Sequence, residues 1–167
     1  VTDTLLPELG VTRQQDSKRL AIGGGKDYPR TEAARGAWLR NLRQATGISE
    51  ERLAVLLERY GTKADSIARY MAAGEDVPLR HQPQYSRREI QFIAAREMLV
   101  HIDDLILRRT FIGMLGQLTP DLLAELVEVV GEVVGWSAGE RRAEIERTVT
   151  LYRQRHGVDL LSTSHPG

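Results

Sequence analysis

YSRREIQFIAAREMLVHIDDLILRRT, residues 85–110, is the stretch on which the reading of this chain turns. Ser86 precedes an apolar run and Glu89 stands three residues later. That is the capping-box arrangement, in which each side chain satisfies the other's free backbone amide. Tyr85 and Ile90 flank the cap at the spacing of a hydrophobic staple. Phe92, Ala95, Leu99, Ile102 and Ile106 then recur at steps of three and four, with Met98 and Leu105 beside them. The pattern predicts one long helix over residues 86–110. Its apolar surface is broad, so it should be packed on several sides, at the centre of the fold.

The same signals repeat on either side. Thr119-Pro120 places a cap and a first-turn proline before Leu122, Leu123, Leu126, Val130 and Val133. Asp121, Glu125, Glu128 and Glu132 form an acidic stripe on another face of that helix. Ser137 and Glu140 make a second capping box, ahead of Ile145, Val149 and Tyr152, and Gly157 ends the last helix. Upstream, helices are expected over 31–46, from Ser49 to Tyr60, and over 62–73, with a loop at 74–84 carrying Pro78 and Pro83. Residues 1–27 hold Pro7, Gly10 and the run Gly23-Gly24-Gly25, and read as an extended arm or linker. No segment alternates as a strand would. The expected fold is all-α: a compact domain of about six helices over 28–157 around a long central helix, with an N-terminal arm and a frayed tail at 158–167.

Composition narrows the function. The chain has 167 residues, 41% hydrophobic, with 23 Lys plus Arg against 23 Asp plus Glu. Zero net charge argues against a dedicated nucleic-acid or anionic-membrane binder. The absence of cysteine removes disulfides and thiolate metal sites and suits a reducing cytoplasm. No apolar run approaches the roughly 20 residues that span a bilayer. Val1-Thr2-Asp3-Thr4 lacks both an initiator Met and a signal-peptide pattern, as an excised segment would.

Three constellations invite chemistry. Gly23-Gly24-Gly25-Lys26 suggests a phosphate cradle, but Asp27 stands where a P-loop needs Ser or Thr, and Tyr28 where a dinucleotide fingerprint needs its third glycine. A turn between arm and helix is the plainer reading. Glu97, His101, Asp104 and Arg108 would share one face of the long helix. They could hold a metal, pair with one another as Glu97–His101 and Asp104–Arg108 on a solvated face, or meet a missing domain; the Glu-x-x-His pattern of helical dimetal sites is absent. Residues 49–73 have the size of a helix-turn-helix, with Lys63, Ser66 and Arg69 available, but Asp65 and the zero net charge favour an ordinary helical hairpin. His81, His156 and His165 fall in loops or near the end. No catalytic, cofactor-binding or metal residue is assigned, because nothing supplies nucleophile, base and oxyanion site together.

Residues 85–92, then Arg96-Glu97-Met98, then Asp104-Leu105-Ile106-Leu107-Arg108-Arg109-Thr110, resemble the C-terminal domain of FAD-dependent glycerol-3-phosphate dehydrogenases and glycerophosphate oxidases. In that family a Tyr precedes a Glu-[Ile/Leu]-x-[Tyr/Phe] helix start, followed by a Glu, an Asp and Arg-Arg-Thr. Tyr60-Gly61-Thr62-Lys63 resembles the family's Tyr-Gly turn, and Ile22-Gly23-Gly24 the exit from its flavin domain. The resemblance covers nearly the whole chain. It implies a parent that oxidises glycerol 3-phosphate to dihydroxyacetone phosphate through FAD, with electrons passing to a quinone or to oxygen. It leaves open a peripheral membrane location and an oligomeric state for that parent. The flavin and substrate residues lie upstream, so none is carried over; this segment would hold no cofactor, and its partner would be its own flavin-binding domain. Tyr85, Glu89, Glu97, Asp104, Arg108, Arg109 and Thr110 are carried over as structural or interface residues. Arg109 is expected beside Met98 and Leu105, towards apolar surface. The alternative is a free-standing helical interaction or regulatory module.

Overall fold

Local start and stop signals lay out most of the elements. The structure, a computed structural model, describes residues 2–11 and 23–162, with side chains from Leu5 onward. The arm between residues 12 and 22 and the end of the tail from residue 163, and with them Ile22 and His165, lie outside the described residues. Helices α1 (Thr2–Glu8), α2 (Glu32–Thr46), α3 (Glu50–Tyr60), α4 (Ala64–Ala72), α5 (Arg87–Arg96), α6 (Ile102–Asp104), α7 (Pro120–Val134) and α8 (Ala138–Leu151) follow in order. A 3₁₀ turn, Gly61–Lys63, precedes α4, and π turns follow α6 (Leu105–Arg109) and α8 (Tyr152–His156). There is no strand among the described residues, only an isolated antiparallel bridge between Pro78 and Ser86. The fold is all-α.

The chain divides into two compact units, Val1–Asp65 and Ser66–Gly167. In the first, Thr31 caps α2 by accepting the Ala34 amide at 3.2 Å, and Ser49 caps α3 through Arg52 at 3.3 Å. Arg35 at the start of α2 pairs with Glu58 near the end of α3 at 2.8 Å, and Arg43 pairs with Glu50 at 3.3 Å. These cross-pairs make α2 and α3 an antiparallel hairpin. Leu42, Leu53, Leu56 and Leu57 are buried. The expectation of no helix before residue 27 is corrected by α1, which carries Pro7 in its last turn. Leu9 and Gly10 then close it, and Leu9 donates to Leu5 and Leu6.

In the second unit the centre is α7, not residues 86–110. Helix α7 packs against α5, α6 and α8. Leu122, Leu123, Leu126, Val127, Val129 and Val130 are all buried, each at a gain of about 1.5–3 kcal/mol for a side chain of this class. The predicted long helix is broken: α5 ends at Arg96, and α6 begins only at Ile102. Helix α8 also departs from expectation. Its buried positions are Glu144 and Thr148, followed by Tyr152, while Ile145 and Val149 are half-buried. The described part of the tail is not frayed: Leu160 is buried, and Arg153 pairs with Asp159 at 3.0 Å.

The loop at 74–84 is pinned through its backbone. Glu125 on α7 accepts the Arg80 and His81 amides at 2.8 and 3.0 Å. Arg88 on α5 donates twice to the Tyr70 carbonyl, at 2.9 and 2.7 Å, and its own amide meets Asp76 at 2.9 Å.

Candidate functional site

The break in the predicted helix organises most of the site residues read from the sequence. Glu97 caps the end of α5, and its amide still donates to Ile93. Met98 then turns into the left-handed region, with φ of 49°. The chain re-enters a helix at His101, whose φ and ψ are extended. So the helical face expected for Glu97, His101, Asp104 and Arg108 is interrupted between Glu97 and His101. His101 Nδ1 instead meets Glu144 Oε1 of α8 at 2.8 Å, and the Ile102 amide donates to Glu144 Oε2 at 2.9 Å. Arg147, one turn on, donates to Glu144 at 3.2 Å and pairs with Asp103. Burial pushes the Arg147 guanidinium below its ordinary pKa. Glu144 therefore satisfies the free start of α6, the place where unpaired amides and the helix dipole favour an anion.

Glu97 has a different partner, Arg109, at 3.3 Å. Arg109 was expected against apolar surface; it is half in water and spans the break instead. The Asp104–Arg108 pair forms one turn apart, at 2.8 Å, with the Arg108 side chain 73% exposed. Glu97, Met98, Asp104, Arg108 and Arg109 line one open depression of about 380 Å³. Thr110 ends the π turn: its amide and hydroxyl both donate to the Leu105 carbonyl at 3.0 Å.

Tyr85 and Glu89 belong to the interior. Tyr85 is 1% exposed, and its hydroxyl accepts the Phe111 amide at 3.1 Å. Glu89 is fully buried and accepts the Ser86 amide at 3.3 Å, the glutamate half of the capping box. The Tyr at the start of the motif thus supports the segment that follows the Arg-Arg-Thr at its end.

The glycine run is a clasp. Thr62 donates its amide to the Gly24 carbonyl at 2.9 Å and its hydroxyl to the Lys26 carbonyl at 2.9 Å. A Cβ on Gly61 would lie 2.0 Å from the Gly24 oxygen, and Gly61 has φ of 59° and ψ of −143°. Only glycine fits such a backbone-on-backbone contact.

The Asp103, Glu144 and Arg147 cluster escaped the sequence reading, because its members come from two elements. Among the described residues no three His, Asp or Glu converge as a metal ion would need, and no helix is long and apolar enough to cross a membrane.

Residues 16–141 match the family described as the C-terminal domain of alpha-glycerophosphate oxidase. The chain is similar to glycerol-3-phosphate dehydrogenase 2 of Mycobacterium bovis and of Mycobacterium tuberculosis, 31% identical over 123 residues in each case. It is 28% identical over 123 residues to glycerol-3-phosphate dehydrogenase of Mycobacterium leprae. Each alignment covers 72% of this chain, and the chain spans only 20% of the length of these curated relatives. No solved structure gives a significant match. With three quarters of its residues inside the match and the motif residues at the hinge points of the fold, the chain belongs to the family of the C-terminal domain of alpha-glycerophosphate oxidase.

Proposed function

We propose that this chain is the accessory C-terminal domain of an FAD-dependent glycerol-3-phosphate dehydrogenase. The observation that carries the reading is the alignment: most of this chain answers to one fifth of each relative. The flavin and substrate chemistry belongs to the other four fifths. There the parent oxidises glycerol 3-phosphate to dihydroxyacetone phosphate, passing the electrons through FAD to a quinone or to oxygen. The residues described here do not fit FAD. The Gly24 carbonyl is taken by Thr62, the Tyr60 carbonyl lies 2.7 Å from where a Gly24 Cβ would stand, and no strand stands among the described residues. The carboxylates of the motif are engaged in ion pairs and caps, so the domain supplies shape and contact, and no step of the reaction. A cytoplasmic location and the absence of a nucleic-acid partner are part of the reading. They are supported by a cysteine-free chain of zero net charge.

The test is expression of the complete reading frame that encodes the chain, beside the chain alone. The complete protein should retain a flavin spectrum after desalting and reduce a dye with glycerol 3-phosphate. The chain mixed with excess FAD should keep no flavin band. A stoichiometric band on the chain alone, or a reading frame without a flavin-binding body, would overturn the proposal.

A further inference from the structure

The break after α5 does something unusual with apolar residues. Met98 adopts a backbone that non-glycine residues avoid, and the turn places its side chain 91% in solvent. Val100 is 67% exposed, while Leu99 between them is buried. The second irregular stretch, after the Leu105–Arg109 turn, repeats the arrangement. Ile112 is buried, and Phe111, Met114 and Leu115 are 42%, 70% and 59% exposed. Neither stretch is slack. Phe111 donates to Tyr85, Gly113 to the Ile106 carbonyl at 3.1 Å, and Gln117 to the Ile112 carbonyl at 2.9 Å. Glu97–Arg109 ties the first stretch to the same turn, and Met98 lines one depression with Arg108 and Arg109. A fixed backbone, strained at one point, thus holds large apolar groups in water on both sides of a π turn. Such strain and such turns mark working surfaces.

We propose that Met98, Val100, Phe111, Met114 and Leu115 form the face on which this domain docks to the flavin-binding body of the same protein. The inference rests on the reading of the chain as an accessory domain. Four fifths of each relative lies outside the aligned segment, so the domain must meet a larger body. Interfaces between domains of one chain bury about 600–1,500 Å². The edge of the face carries the ion pairs Asp104–Arg108 and Glu97–Arg109, with Arg96 beside them. A rim of mixed charge, with two carboxylates engaged in ion pairs, suits a protein surface, whereas an anionic membrane would call for a cluster of cations. Methionine is the side chain that adapts most readily to an irregular partner surface.

The test uses the chain's three methionines in the complete, flavin-loaded protein. Met71 is buried within the domain and serves as the internal reference. Dilute peroxide is added, and sulfoxide formation is followed by peptide mass spectrometry. Met98 and Met114 should oxidise at least about tenfold more slowly than in the urea-unfolded protein. The variant Met98→Asp should then speed oxidation of Met114 while Met71 stays slow, reporting an intact core with an uncovered face. Oxidation of Met98 and Met114 at the unfolded rate would overturn the docking face. So would protection that grows with protein concentration, the mark of a second copy, or protection that appears only with phosphatidylglycerol vesicles. If the complete protein neither holds flavin nor oxidises glycerol 3-phosphate, the functional reading fails and takes this inference with it. If it does both and the two methionines oxidise freely, the docking face alone fails.

Discussion

Glu144 accepts the Ile102 amide, meets the His101 ring and receives Arg147, all from a side chain 11% exposed. Asp104–Arg108 has the shorter sequence spacing, but its arginine stands in water. The two sites therefore differ sharply in what a deletion should do. Glu144→Ala leaves a buried helix-start amide without its acceptor and takes one of two carboxylates from the partly buried Arg147, which keeps Asp103, at a cost of about 2–3 kcal/mol. Arg108→Ala removes an exposed charge and should cost less than about 1 kcal/mol. Urea unfolding of both variants measures the difference; equal shifts would contradict this assignment of roles. Asp104 and Arg108 could be read as a pair because both lie within one turn of chain. Glu144 could not be read, because its importance comes from facing the start of α6.

At the scale of elements, what could be read was punctuation. Ser86 with Glu89, Ser137 with Glu140, and Thr119 before Pro120 all mark boundaries found in the structure. These are contacts within one turn of chain, so they survive in a linear string. The break at residues 97–101 has no such mark. No Gly or Pro stands there, and the apolar period runs through it. The acceptors on α8 that reward a second helix start at Ile102 are tertiary, and so invisible to periodicity. Two consequences follow for variants. The left-handed turn costs Met98 about 1–2 kcal/mol that glycine would not pay, against about 0.5–1 kcal/mol of added chain entropy. Met98→Gly should then stabilise the domain by about 0.5–1 kcal/mol, read from the urea midpoint; destabilisation would show that Met98 packs in the domain. Gly61→Ala should do the reverse. Its backbone lies in a region open only to glycine, worth about 1–3 kcal/mol, before the Gly24 oxygen is displaced. A melting temperature equal to wild type would mean that the clasp does not form in solution.

For the whole molecule, the all-α class and the family were both legible, the first from caps and the second from the ordered Tyr, Glu, Asp and Arg-Arg-Thr. Which helix sits at the centre was not, since α7 and residues 86–110 carry similar apolar stripes. The pH profile is a property of the sum. The Ser137 amide and hydroxyl hold Glu140 below its ordinary carboxyl range, as Glu51's own amide and the Ser49 hydroxyl do for Glu51. Arg153 and the Leu161 amide lower Asp159. Groups depressed on folding add stability above their unfolded values near 4, and lose it as pH falls through the folded ones. Burial raises the Tyr152 phenol. A raised group adds stability below its unfolded value, near 10, and loses it as pH rises further. Calorimetric melting should therefore be flat between about pH 5 and 9 and fall on both sides. The alkaline fall should be smaller in Tyr152→Phe, and an equal fall in that variant would place its source in another group.

The joining of Lys26 to Thr62 spans 36 residues of chain, and that span has a kinetic meaning. Closing so long a loop in a flexible chain carries an entropy that grows with its length. Once α2 and α3 have folded back on each other, their paired ends do most of that closing. The Gly24–Gly61 contact should thus form after the hairpin and open before it, making the root of the arm the first place where this unit comes undone.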